Sequence, residues 1–578
     1  MDRNTVIAIV LIGLIIILMP VYYKWMAPEK PQPETPDQQP TAPALQEKPP
    51  EIGKAAPSAV TPVPADTSAL RQGGFPIEGV EQTVEVVTDK LTLVFSTHGA
   101  KLVRCVVHGY PSHRGGDVQI IQDNGGANLV AAFGEQGRSL STEDIYFSVD
   151  KARLEVQGSV SDSIVFRAES PSGAVIEERY QFYGDRYVVR WSIDARGVGA
   201  GFPGEEAWLN WNGGLSITEE DTSLAIQHAK AYALYGDNLI KYDVGKKDSL
   251  KTGDTKWVAV RNRYFEAALI AEEKPAAGFF IHGVREDYVY PEHKDMQPKV
   301  FQIALIDPLY GKDYRRDITV FLGPMDYWVM RAQGDQLQKT LDWGWDFFKL
   351  TVPILWVMRG LHSVIPNYGV VLIIFSVIVK VVVWPLTHKS HESMKRMQVL
   401  QPLIKELRDK YKNDMQRLQK ETMKLYKEHK VNPMGGCLPV LIQMPLFIAL
   451  FSVFRSTIEL RGAPFMFWIK DLSAPDYIFH LPWSLPLYGA GVAILPIVMG
   501  VSTYFQSKLT MTDPNQKMML YFMPVFLVLI FNKLPSGLTL YYTLFNVLTL
   551  LQQHLVKTHD PTLETIEEVP KPQGKLKK

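Results

Sequence analysis

Cysteine is almost absent. The chain has two, Cys105 and Cys437, one in a polar half and one in an apolar run. A disulfide framework is excluded, and no spacing marks a metal site. Net charge is missing too: Lys+Arg and Asp+Glu both number 61, which argues against a nucleic-acid or strongly acidic partner. The polar half, residues 76–325, lacks a nucleophile motif, a glycine-rich phosphate loop and a metal cluster. No catalytic residue, metal or cofactor is assigned. Carboxylates are missing at depth in the apolar runs, which counts against a proton-coupled transporter. No small-x-small cleavage site follows the first apolar run, residues 6–22, so that run reads as an uncleaved anchor.

What is present is strongly segmented. Residues 1–26 form a transmembrane anchor and 27–75 a Pro-rich linker, extended and without a core. Residues 76–330 carry short alternating or apolar runs, such as 83–87, 91–95, 187–193 and 318–322, separated by turn residues as at 123–126. They read as an antiparallel all-β sandwich. Its aromatics suit a sugar site or, more simply, core packing. In 331–350, Leu337, Leu341, Trp345 and Phe348 share a helical face. This predicts an amphipathic helix at the outer membrane interface, the alternative being a helix that caps the β-domain.

Further apolar runs near 353–386, 434–458, 486–507, 518–534 and 537–556 bring the total to six spans: a second transmembrane helix within 351–387 and helices three to six within 433–556. Residues 388–432 hold twelve Lys or Arg against six acids, whereas 460–485 has only Arg461 and Lys470. By the positive-inside rule the first segment is cytosolic and the second outside. Both termini and the basic tail 557–578 then lie in the cytosol, and residues 27–350 lie outside, in a periplasm. Within 388–432, Met394, Met397, Leu400, Ile404, Leu407 and Tyr411 form one stripe. Asp414 is a plausible N-cap for a second stripe through Met415, Leu418, Thr422, Leu425 and Tyr426. The pattern predicts a cytosolic helical hairpin. His388 and His391 have a spacing that can hold a metal, but among Lys389 and Lys395 they read as a solvated helix start.

Lys380 sits inside the apolar run 370–384, where a charge costs ~3 kcal/mol or more. Either it snorkels to the headgroups or it faces a cavity. Gln443 is a second polar group at depth, and Pro433, Gly435, Gly436, Pro439 and Pro445 strain the third span. Pro496 and Pro524 are expected to break spans four and five. Tyr541, Tyr542, Asn546, Gln552 and Gln553 place polar atoms along span six. Together with Ser376, one turn before Lys380, they suggest a polar cavity.

Several blocks recur in order: Trp384-Pro385-Leu386-Thr387; Asn432-Pro433-Met434-Gly435-Gly436-Cys437 with Pro439 and Gln443-Met444-Pro445; Glu459-Leu460-Arg461; Phe522-Met523-Pro524; and Pro535-Ser536-Gly537-Leu538 with Leu540-Tyr541-Tyr542. Trp257-Val258-Ala259 with Tyr264-Phe265 adds one from the polar half. In these the sequence resembles the YidC membrane protein insertases along nearly its whole length. The resemblance implies a periplasmic β-supersandwich and five core helices around a hydrophilic groove open to cytosol and lipid but shut to the periplasm. Lys380 stands where the family usually has arginine, which keeps the charge but loses the planar fork. Ser376, Tyr541 and Tyr542 match groove-lining positions. The implied partners are nascent membrane proteins, membrane lipid, the Sec translocon, and a ribosome or targeting factor at the hairpin and tail, all at a bacterial inner membrane. The rivals are a transporter and a membrane-anchored periplasmic glycan-binding module; five apolar spans with aligned polar residues are excessive for an anchor.

Overall fold

The computed structural model describes residues 74–555 apart from 122–125, 139, 202–204, 247, 286–296, 342, 344–348, 430, 432–437, 486–487 and 511–516. The expected anchor 1–26, nearly all of the linker, the tail 557–578, and Pro433, Gly435, Gly436 and Cys437 lie outside the described residues.

Residues 83–324 form a β-domain in which nineteen strands join into one hydrogen-bonded network. Alternation decides which side chains enter the core. In Thr83–Thr88, Val84 and Val86 are buried while Glu85 and Val87 are only half-buried. In Ser161–Glu169, Ile164, Phe166 and Ala168 point inward. Strands covered on both faces lose the alternation, as Asn128–Gly134 does. Pairing is antiparallel from Ser161–Glu169 through Val175–Tyr183, Val188–Arg196, Tyr314–Pro324 and Phe265–Ala271 to Ser249–Arg261. Thr83–Thr88 runs parallel to Arg153–Val156. Aromatics fill the centre: Phe95, Phe166, Tyr180, Phe182 and Trp191 are all buried, with Tyr180 stacked on Trp191 at 6.1 Å.

The described helices are α1 (Thr222–His228), α2 (Tyr327–Ala332), α3 (Thr351–His362), α4 (Tyr368–Val399), α5 (Gln401–Lys410), α6 (Met415–Glu428), α7 (Leu438–Ser456), α8 (Ile494–Thr510), α9 (Lys517–Phe531) and α10 (Ser536–Leu555). By length and apolarity alone, Tyr368–Pro385 within α4 can cross a membrane, while Gln443–Ser456 and Leu520–Phe531 are apolar but shorter.

Several expectations require correction. No helix runs through 351–387: α3 ends at His362 and α4 begins at Tyr368. Pro366 disfavours helical backbone at Ile365, and Asn367 caps the new helix by accepting from the Val370 amide at 3.1 Å. The segment 331–350 does not provide a free interface helix in its described part. Leu337 and Leu341 lie in a 3₁₀ turn and pack into the β-domain with Trp257 and Phe321. The amphipathic helix is α3, which buries Ile354, Leu355 and Met358 and exposes Trp356. Gly489–Ala493 is the second strand of a hairpin with Tyr477–Leu485, so the helix in the region expected as span four starts only at Ile494. Pro496 falls in the first turn of α8, where its missing N–H has no intrahelical partner to lose. Helix α9 continues across Pro524.

The basic hairpin is present as α5 and α6. Asp414 caps α6 by accepting from the Arg417 amide. Leu400, Ile404 and Val431 form the seam, with Met397, Leu425 and Tyr426 against it. Its first arm continues directly from α4.

Candidate functional site

Helices α3, α4, α7, α8 and α10 surround a cavity of about 440 Å³. Helix α4 contributes Lys380, Val383, Thr387 and His391, positions three or four apart that share one face. Helix α10 contributes Phe545, Thr549 and Gln553, again four apart. The Lys380 ammonium is turned inward, not toward a helix end. It donates to Thr549 Oγ1 at 2.8 Å and sits 4.6 Å from the Phe545 ring centre, and the residue is 4% exposed. A desolvated cation–π contact is worth about 2 kcal/mol. Among the described residues no carboxylate contributes to its electrostatics. A buried cation beside an open volume and without an anion is chemically suited to receive one.

The five groove residues expected from the sequence separate. Lys380 and Gln443 line the cavity. The Ser376 hydroxyl donates to the Leu372 carbonyl of its own helix at 2.7 Å. Tyr541 is buried in the apolar core with Tyr542 packed at its edge, their rings 5.5 Å apart. Sequence reasoning missed Thr387, Thr549 and Gln506 as lining residues, and it placed His391 in solvent, whereas that ring is 4% exposed. The signal was available: Lys380, Thr387 and His391 fall on one face once α4 is carried past Pro385.

Loop 457–476 packs across the end of the bundle at which α10 begins. Ser536 N donates to Ala474 O at 2.8 Å and Gly537 N to Leu472 O at 2.9 Å, so the loop satisfies orphan amides at the start of α10. Gly537 makes this approach close, since a Cβ would lie 3.0 Å from both Leu472 O and the Phe454 ring and the neighbours would have to give by a few tenths of an ångström. Pro535 immediately precedes this helix, and Pro385 and Pro445 lie inside α4 and α7. Pro439 is the second residue of α7. Asn532, fully buried, accepts from Ala493 N at 3.0 Å and donates to Tyr488 O and Gly491 O at 2.9 and 2.7 Å. The Asp476 carboxylate accepts from Trp468, Ile494 and Leu495, which starts α8.

The same loop meets the β-domain. Arg461 pairs with Glu219 at 2.8 Å, with side chains 5% and 11% exposed, and lies 5.6 Å from the Phe265 ring centre. Arg263 donates to Ser473 O at 3.0 Å. Arg455 Nε donates to His228 Nε2 at 3.0 Å. Burial and the surrounding arginines push the His228 pKa down to about 2, so this imidazole is a neutral acceptor. Two blocks that carried the resemblance, 257–265 and 459–461, are thus brought together by folding.

Comparison with known proteins places these features. The family model described as the YidC periplasmic domain matches residues 83–357, and the one described as 60Kd inner membrane protein matches 360–562. A membrane protein insertase YidC of Chlorobaculum parvum is 37% identical, the alignment covering 96% of this chain and 94% of that protein. One of Chloroherpeton thalassium is 34% identical over 100% and 99%. A solved active YidC insertase with its first transmembrane domain resolved aligns at 19% identity and a TM-score of 0.36, covering 84% of this chain and 95% of that one. With full-length relatives above a third identical and both halves matched, the chain belongs to the YidC family of membrane protein insertases.

Proposed function

We propose that this insertase works through the Lys380 cavity. The family is one of insertases, not of enzymes, and its substrates are nascent membrane proteins. A polar or acidic outer segment of the substrate enters from the cytosol, and Lys380 lowers the cost of bringing that segment to mid-membrane. The substrate's apolar span then moves into lipid, where its burial drives release. The observation that carries this reading is the inward-turned Lys380, held by Thr549 and Phe545 beside open volume. Gln443 adds a polar wall. Behind that wall Tyr541 packs on Phe375 of α4, and Tyr542 packs on Phe447 of α7 and Phe531 of α9.

The reading takes the chain as six spans in a bacterial inner membrane, with the β-domain periplasmic and both termini and the α5–α6 hairpin cytosolic. The hairpin and tail are the contact region for a ribosome or targeting factor, and the Sec translocon is a partner for larger substrates. Support for the orientation is the charge contrast between 388–432 and 460–485. Single cysteines at exposed positions 172, 424 and 470, with Cys105 and Cys437 replaced, test it. An impermeant reagent applied to cells with a permeabilised outer membrane labels 172 and 470 and spares 424. Labelling of 424 alone overturns the orientation. Reconstitution of the full chain in lipid vesicles, followed by insertion of a small single-span protein, tests the activity itself.

A further inference from the structure

Gln553 is 8% exposed and lines the cavity at the end of α10. Neither its Oε1 nor its Nε2 has a hydrogen-bond partner. His391 lines the same cavity from α4 at 4% exposure, and neither of its ring nitrogens makes a full hydrogen bond. The Gln552 side chain approaches that ring as a weak hydrogen-bond partner, short of full geometry, so Gln553 is the group left wholly unpaired. Gln552 instead exchanges hydrogen bonds with the Thr387 hydroxyl at 3.2 and 3.4 Å. One buried amide of the adjacent pair is therefore internally satisfied and the other is not. Buried polar atoms without partners cost about 1–3 kcal/mol each, and native structures keep few of them without a use.

We propose that Gln553 and His391 form a subsite at the cytosolic mouth of the cavity that binds the peptide backbone of the incoming segment. The chemistry selects the ligand. A primary amide presents a donor and an acceptor side by side, the complement of a peptide N–H and C=O. A neutral imidazole adds one donor and one acceptor. Neither group favours an anion, so the subsite differs in kind from Lys380. Thr549 lies between them on α10: one turn before Gln553, it accepts the Lys380 hydrogen bond. An entering chain thus meets a sequence-independent backbone contact first and the charge second. This suits a protein that must accept many sequences, because the backbone is what they share. The proposal rests on the insertase reading of the cavity and names which part of the substrate this end of it holds.

The test uses the full-length protein in lipid vesicles and one single-span substrate in four forms. Its outer segment is acidic or neutral, and each version has either a normal backbone or several amide N–H groups replaced by ester oxygens. Gln553→Leu lowers insertion about threefold to tenfold, the worth of one or two hydrogen bonds, equally for acidic and neutral segments. His391→Phe, which keeps an aromatic ring, lowers it in the same pattern and serves if Gln553→Leu does not accumulate. Ester substitution lowers insertion by the wild type and does so less by Gln553→Leu, which keeps only His391 to read the backbone. Lys380→Ala shows the opposite selectivity, failing on acidic segments only, so loss of the charge effect with the backbone effect intact refutes the wider reading alone. Insertion by Gln553→Leu and His391→Phe equal to wild type shows that only water occupies the subsite and overturns the proposal. So does an ester effect of the same size in wild type and variant.

Discussion

Glu178 in the β-domain and Lys380 in the helical core both have almost no exposure, yet their surroundings answer the burial differently. Glu178 accepts from the Tyr180 hydroxyl at 2.7 Å and from Trp191 Nε1 at 2.9 Å. Desolvation raises its pKa to about 8, so the domain accommodates it by keeping the proton on. Glu266 behaves alike, also raised to about 8 by burial. Lys380 is given a hydroxyl, a ring face and a cavity instead. At Glu178 and Glu266 the packed domain removes the buried charge, whereas at Lys380 the core keeps one and leaves room beside it.

The largest expected effect breaks the contact between the two regions. Arg461→Ala leaves Glu219 buried without its partner, a loss of about 3–5 kcal/mol for pairs of this kind. Hydrogen exchange should accelerate in both 457–476 and 216–221. The double variant Arg461→Met with Glu219→Leu should recover much of the protection. Unchanged exchange in Arg461→Ala would show that the two regions are not coupled there. Next, Asn532→Ala removes three hydrogen bonds to the hairpin 477–493, worth about 1–3 kcal/mol. Exchange should rise in 477–493 and stay constant in the β-domain.

A smaller effect sharpens the contrast itself. The folded β-domain holds a proton on Glu178 that the unfolded chain releases above its ordinary value of 4.5. Stability from this group is therefore complete below pH 4.5 and is lost as pH rises toward 8. Labelling of the buried Cys105 thiol in a Cys437→Ser protein reports opening of the domain. Its rate should climb across that window in wild type and less steeply in Glu178→Gln. Parallel profiles would show that Glu178 is ionised in the fold. The smallest effect is Asp414→Ala, which removes a helix cap worth about 1 kcal/mol. Protease should cut faster near 411–416, with no change in either large region.

These two regions also differ in how much could be read beforehand. The β-domain was legible because a half-buried strand writes its inner face into the sequence, as in 83–87 and 318–322. The membrane helices were legible as apolar runs but not as faces. In 368–385 nearly every residue is apolar, whether it meets lipid or protein, so the sequence could not show that Ser376 turns back on its own helix or that Tyr541 packs inward. Breaks were lost for the same reason: the turn at 363–367 and the strand at 489–493 are apolar enough to be read as span. His391 was misplaced because neighbouring lysines suggested solvent, while its own helical face carries on from Lys380. The docking of Arg461 on Glu219 and Phe265 joins residues some two hundred positions apart, and no local pattern announces it.

The central claim is that Lys380 serves as a cation in an accessible cavity, and charge variants of this one residue address it most directly. Wild type, Lys380→Arg, Lys380→Ala and Lys380→Glu are placed in vesicles at equal levels. Insertion is measured for one substrate whose outer segment differs only in charge. Lys380→Arg should retain insertion, Lys380→Ala should fail progressively as the segment becomes more acidic, and Lys380→Glu should fail more, with neutral segments least affected. Equal insertion by wild type and Lys380→Ala across the whole series would contradict the account and leave Lys380 as a buried charge without a function.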